Sequence, residues 1–124
     1  MQALEGKHIL YNGQFHPVKY AKANVAQSQT DASIVAAVTG KRNLVVEFRL
    51  HAGDTATDVT FNTKPSGSGT AISEKFACAA NGGRADGFSS CGHFITGSGE
   101  GLTVTTGIGA TTGIGVVYAE VDPT

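Results

Sequence analysis

The chain has no tryptophan, one methionine, two cysteines and three prolines in 124 residues. Charge is also scarce: Asp, Glu, Lys and Arg make up 15% of it, and nine basic against ten acidic residues leave a net charge of −1. Each shortage excludes something. Scattered, near-balanced charge gives no basic footprint for nucleic acid and no polybasic patch for a membrane surface. No run approaches the roughly 18 apolar residues of a membrane-spanning helix. The opening MQALEGKHILYNG has no apolar stretch of about 7–15 residues, so no secretory signal is expected. Cys78 and Cys91 cannot complete a tetrahedral zinc site by themselves. Two reduced thiols are the default expectation, with a disulfide between them as the alternative.

What is present points to strands and turns. Seventeen glycines, with many threonines and alanines, favour a β-rich chain with frequent turns. The length suits one domain. Roughly two thirds of its unfolded surface would be buried on folding, enough for one core without metals or disulfides.

RNLVVEFRLHA (42–52) alternates with period two, Leu44, Val46, Phe48 and Leu50 on one face and Val45, Glu47, Arg49 and His51 on the other. That reads as a half-buried antiparallel strand. TDVTFNT sets Val59 and Phe61 against Asp58, Thr60 and Asn62. KYAKANVAQS (19–28) offers Ala21, Ala23 and Val25 on one face, and IVAAV (34–38) reads as a short apolar strand. TAIS, HFIT, LTVTT and VVYAEV add further strands, the last apolar enough to be central. HILYNGQFHPV carries Asn-Gly between apolar flanks, a hairpin signal. FACAANGGRADGFSSCG (76–92) reads as a long loop with a short strand or two, and ISEKFACAA as a weak helix candidate. Seven to nine short strands, separated by turn signals, predict a β-sandwich or barrel.

TTGIGATTGIG (105–115) repeats one pentapeptide around Ala110. A dinucleotide loop needs a third glycine where Thr112 stands, and a P-loop needs a lysine. Both need a following helix, whose N-terminal amides hold the phosphate. VVYAEV follows instead. The stretch therefore reads as a hairpin connection between the last two strands, its glycines permitting positive φ.

Chemistry-bearing residues are sparse. There is no HExxH motif and no Cys/His cluster. His51, Asp54 and Asp58 lie close enough in sequence for a calcium loop, against the plainer reading of a solvated turn. Cys91 and His93 share a strand face as a nucleophile and base would, but no third group orients them. Glu74, Glu100 and Glu120 offer carboxylates without singling out the pair that sugar hydrolysis needs. No catalytic, cofactor-binding or metal-ligating residue is expected, and the chain is not read as an enzyme.

The order of segments carries a resemblance. QTD, VAAV-T-GK, a V-F strand, GSGTAIS, ANGG, GHFITGSGEGLTVTTG and VVYAEV follow one another across residues 17–121. This resembles small β-sandwich structural proteins of tailed bacteriophages, of the capsid decoration or cement type. It departs from their pattern at RADGFSSCGHF (84–94). The resemblance implies an all-β, jelly-roll-like antiparallel β-sandwich (19–124) with an N-terminal arm or hairpin (1–18), sitting on the virion capsid surface after assembly in the host cytoplasm. It implies a homotrimer whose partner is the major capsid protein, with no nucleic acid or membrane partner. The arm either reaches a neighbour or folds back on its own domain. Tyr11 and Phe15 on the arm, with Val45 and Val117 on a sheet face, are the expected subunit or capsid contacts. The alternative function is a receptor- or glycan-binding module of the tail or fibre.

Overall fold

Asn12 and Gly13 both adopt positive φ, 50° and 78°, the combination a two-residue type I′ turn requires. They close the first hairpin, between β1 (Ala3–Tyr11) and β2 (Gln14–Val25). The computed structural model describes residues 3–89 and 91–122, and the side chains from His8 onward. Among these residues nine further strands follow: β3 (Ala32–Val35), β4 (Arg42–His51), β5 (Thr57–Lys64), β6 (Thr70–Ala71), β7 (Phe76–Cys78), β8 (Gly83–Asp86), β9 (Phe94–Ile95), β10 (Gly101–Thr106) and β11 (Thr112–Val121). The described residues contain no helix; Phe76–Cys78 within the weak helix candidate is a strand.

The strands form two antiparallel sheets, and the fold is an all-β sandwich. One sheet has the order β1-β2-β11-β4-β8, with β9 also on β4; the other has the order β3-β10-β5-β6, with β7 also on β5. The pairing is nested. β2 pairs with β11, β3 with β10, β4 with β8 and β9, and β5 with β6 and β7. The chain is thus one long antiparallel hairpin rolled up so that its pairs fall alternately in the two sheets, the jelly-roll arrangement.

Between the sheets lie Val25, Val45, Phe48, Leu50, Val59, Phe61, Leu102, Val104, Ile114, Val116 and Tyr118, all buried. Phe48, Phe61, Phe76 and Phe94 meet there at ring separations of 4.9 to 6.4 Å, each pair contributing about 0.5–1.5 kcal/mol beyond its area. A second cluster sits on the other face of the first sheet: Ile9, Val18, Leu44, Val46, Val117, Ala119 and Val121. Ser89 and His93 donate backbone hydrogen bonds to the carbonyls of Val46 and Val45, and a Cβ on Gly92 would collide with the Leu44 side chain.

Three sequence expectations need correction. The strict alternation of 42–52 is broken, because the β4–β11 register steps from Glu47 to Val45 while β11 advances by one. Val46 is the extra residue of a β-bulge. Val45 therefore joins Phe48 and Leu50 in the inter-sheet core, while Leu44 and Val46 face the second cluster. The strand expected over 34–38 ends at Val35, and Lys41 N–H returns to the Val38 carbonyl in a turn. The connection from β10 to β11 is not a hairpin, since the two strands lie in different sheets. Its glycines do not adopt positive φ; among the described residues the glycines that do are Gly13, Gly40, Gly92 and Gly99.

Strand β2 runs without a break across the 18/19 division expected from the sequence. Its first residues pair with β1 alone, and its pairing with β11 begins at Val18. One face of the hairpin carries the buried Ile9, His16 and Val18. The other carries His8, Leu10, Phe15 and Pro17, all exposed.

Candidate functional site

Strand β11 is central in its sheet, and its early outward positions are glycines. Gly115 lies opposite Lys22 on β2 and Arg49 on β4; Gly113 lies opposite Asn24 and His51. Each row across the sheet is thus side chain, bare backbone, side chain. The result is a trough floored by peptide and walled by Tyr20, Lys22 and Asn24 on one side and Arg49 and His51 on the other. Gly83, Arg84 and Ala85 of β8 form its rim, and the cavity measures about 790 Å³. That lies within the size range of small-ligand sites, about 300–1,000 Å³.

Across this trough Arg49 donates a 2.5 Å hydrogen bond from Nη2 to the Tyr20 hydroxyl. Its guanidinium carbon lies 5.4 Å from the centre of the Tyr20 ring, a cation–π distance. The bridge lies directly on Gly115, where a Cβ would stand 2.9 Å from the Tyr20 oxygen and 3.1 Å from Arg49 Nε. A glycine at 115 therefore lets the bridge lie flat on the sheet. Gly113 is looser, its nearest neighbour, Asn24 Oδ1, being 3.5 Å from such a Cβ.

The lining carries Lys22, Arg49, Arg84 and His51 and no carboxylate. The ion pairs among the described residues are Lys19–Glu120, Lys41–Asp122 and Arg84–Asp86. Arg84 is thus neutralised and lies over the Phe76 ring at 5.0 Å. Lys22 and Arg49 have no carboxylate partner there.

The residues singled out in the sequence are dispersed. Phe15 is 73% exposed and cross-strand from Leu10, itself 57% exposed. Tyr11 is half-buried, its ring edge-on to His16 at 6.4 Å. Val45 is fully buried and Val117 nearly so. Neither has a side-chain surface to offer a neighbour, because the bulge turns Val45 into the inter-sheet core and the second cluster covers Val117.

Both cysteines are free, Cys78 buried and Cys91 exposed. His93 Nε2 lies 2.8 Å from the Gly87 carbonyl. Glu100 accepts from the Thr63 hydroxyl and Glu120 from Lys19. Glu74 lines a smaller cavity with Asp86 and His93. His51 belongs to the trough, and Asp54 sits in an exposed turn. No group of three or more His, Cys, Asp or Glu among the described residues is placed to hold a metal ion.

Shifted ionisations lie away from the trough. A hydrogen bond to Glu120 raises Lys19 above its ordinary value, and the hydrogen bond from Lys41 lowers Asp122. Burial raises Cys78 and Tyr118.

Sequence reasoning missed Lys22, Asn24, Arg49 and the floor glycines. The alternating G-I-G of 113–115 was the available signal. It acquires meaning only once β2 and β4 are known to flank β11.

No family model matches the chain, and no curated protein does. Among solved structures, "Structure of infectious bursal disease virus Gx strain" aligns over 93% of this chain and 44% of that one, at 9% identity and a TM-score of 0.26. This chain therefore spans less than half of that protein's length, and a likeness this slight assigns neither fold nor function.

Proposed function

We propose that the protein is a structural component of a tailed-bacteriophage virion that binds the assembled head and reinforces it as a decoration protein. The observation that carries this reading is the two-faced hairpin. Its inner face is anchored by Ile9 and Val18 in the second cluster. Its outer face sets Leu10 and Phe15 side by side in solvent. Large apolar side chains held side by side on a hairpin suit a docking anchor, since most contact energy comes from a few buried aromatic and apolar groups. The order of segments across 17–121 supports the phage context. Three copies around an axis would add avidity to a modest individual contact. The Val45 and Val117 side chains do not supply the trimer contact.

The test is addition of purified protein to particles that lack it. Wild type is expected to bind and to raise the temperature at which particles burst. The double variant Leu10→Ser/Phe15→Ser should stay folded, both sites being exposed, and should lose binding. Light scattering should give about three times the chain mass. Particles of unchanged stability with impaired host attachment would favour the tail- or fibre-associated binding module. The trough is the observation in favour of that second reading.

A further inference from the structure

We infer that the trough over Gly113 is a binding site for an acidic saccharide, held through its carboxylate by Lys22 and Arg49. The inference stands on the trough alone and does not depend on attachment to a capsid.

The two cations flank one central strand. Lys22 and Arg49 both lie opposite Gly115, so their Cα atoms are separated by two strand spacings, about 10 Å. The Tyr20–Arg49 bridge fills the floor at Gly115, so a planar carboxylate would rest above it and take hydrogen bonds from the ends of both side chains. Arg49 is already oriented by the Tyr20 hydroxyl and ring, so little side-chain entropy remains to be lost on binding. Its other N–H groups remain available to a second acceptor, and a guanidinium suits carboxylate geometry. Neither cation has a carboxylate partner among the described residues. The nearest acidic position on the same strand is Glu47, opposite Val117 and outside the lining.

The floor and walls select the rest of the ligand. Asn24 and His51 flank Gly113 and supply donors and acceptors for hydroxyls. With no Cβ at 113, a sugar ring can lie against the peptide. The Arg49 guanidinium lies over the Tyr20 ring and so competes with a nucleobase for that face. Polar side chains on both walls, a backbone floor and an unmatched pair of cations together suit a carboxylated sugar. The trough also lies at the far end of β2 from Phe15. The nine residue steps from Phe15 to Asn24 span about 30 Å of strand, so a chain docked by its hairpin would still present the trough.

The experiment is calorimetric titration of the full chain with tetragalacturonate, its methyl ester and inorganic phosphate, with amide NMR shifts to locate binding. Tetragalacturonate should bind and shift the Gly113 and Asn24 amides. The methyl ester should bind at least about tenfold more weakly, the loss of one charge-assisted hydrogen bond. Arg49→Ala and Lys22→Ala, both at exposed positions, should each weaken binding comparably, whereas Lys41→Ala, which removes a cation elsewhere, should not. Absence of binding, equal binding of the ester, shifts confined to other residues, or equal loss in Lys41→Ala would overturn the inference. Phosphate binding as tight as the oligosaccharide would assign a simple anion site and overturn the saccharide.

Discussion

The two copies of TTGIG share every residue and almost nothing of their environment. In the first, 105–109, two threonines finish β10 and the chain then leaves for the opposite sheet. In the second, 111–115, Thr112 onward is already β11. Ile108 is 90% exposed, and Ile114, its counterpart, 2%. Gly109 packs against the Ala56 carbonyl and Thr57 hydroxyl, which a Cβ would strike, whereas its counterpart Gly115 meets only the ends of the Tyr20 and Arg49 side chains, at 2.9 and 3.1 Å from such a Cβ. Local sequence is identical, so the whole difference comes from what each copy is placed against. β10 ends at its sixth residue and must cross, while β11 begins between two long partners that propagate its ladder.

That comparison can be broken position by position. The largest expected contrast is at isoleucine. Ile114→Ala should lose about 2–5 kcal/mol by opening a cavity between the sheets. Ile108→Ala should stay within about 0.5 kcal/mol of wild type, as exposed positions do. Urea unfolding measures both, and equal losses would mean that Ile108 is buried in the protein's working state, as it would be in an assembly. Glycine comes next. Gly109→Ala should cost about 1–3 kcal/mol, because backbone and a buried threonine must shift to admit the methyl. Gly115→Ala, its counterpart, should cost under about 1 kcal/mol, because the Tyr20 and Arg49 side chains it meets are long enough to move aside.

Threonine gives a smaller contrast. The Thr106 hydroxyl accepts from Gln29 N–H and donates to the Ala26 carbonyl, at 2.9 and 2.7 Å. Thr106→Val leaves that amide without its side-chain acceptor and should cost about 1–2 kcal/mol. Thr112 makes one longer hydrogen bond, 3.3 Å to the Ala110 carbonyl, and Thr112→Val should cost under about 1 kcal/mol.

The smallest effect is a control on pH. Cys78, Tyr118 and Lys19 all have their pKa raised in the folded chain, above ordinary values of 9.0, 10.0 and 10.5. Each holds its proton more tightly when folded, so the stability it contributes is fully present below its unfolded pKa. That contribution is lost as pH rises through the folded pKa. Stability should therefore decline as pH rises beyond about 9, the lowest of these onsets. The Ile108–Ile114 contrast involves no ionisable group and should be unchanged from neutral pH to the onset of that decline.

Much of the fold was legible in advance. The Asn12-Gly13 turn, the strands around Phe48, Phe61 and Val116, and the sandwich class all follow from turn chemistry and period-two patterning. The bulge at Val46 was not legible, since an extra residue leaves no mark in a run of apolar side chains. Its consequence was large. It sent Val45 into the inter-sheet core and Val46 into the second cluster, and so removed Val45 from the surface.

By itself, then, the sequence determined which stretches extend, where the first hairpin turns and that the chain is all-β, because these depend on side-chain alternation and on φ preferences within a few residues. Tertiary structure alone decided the rest. It set β11 between β2 and β4, brought Lys22 and Arg49 to either side of Gly115, and gave two copies of one pentapeptide opposite fates. Those outcomes depend on pairing between residues distant in the chain, and five residues cannot encode their own neighbours.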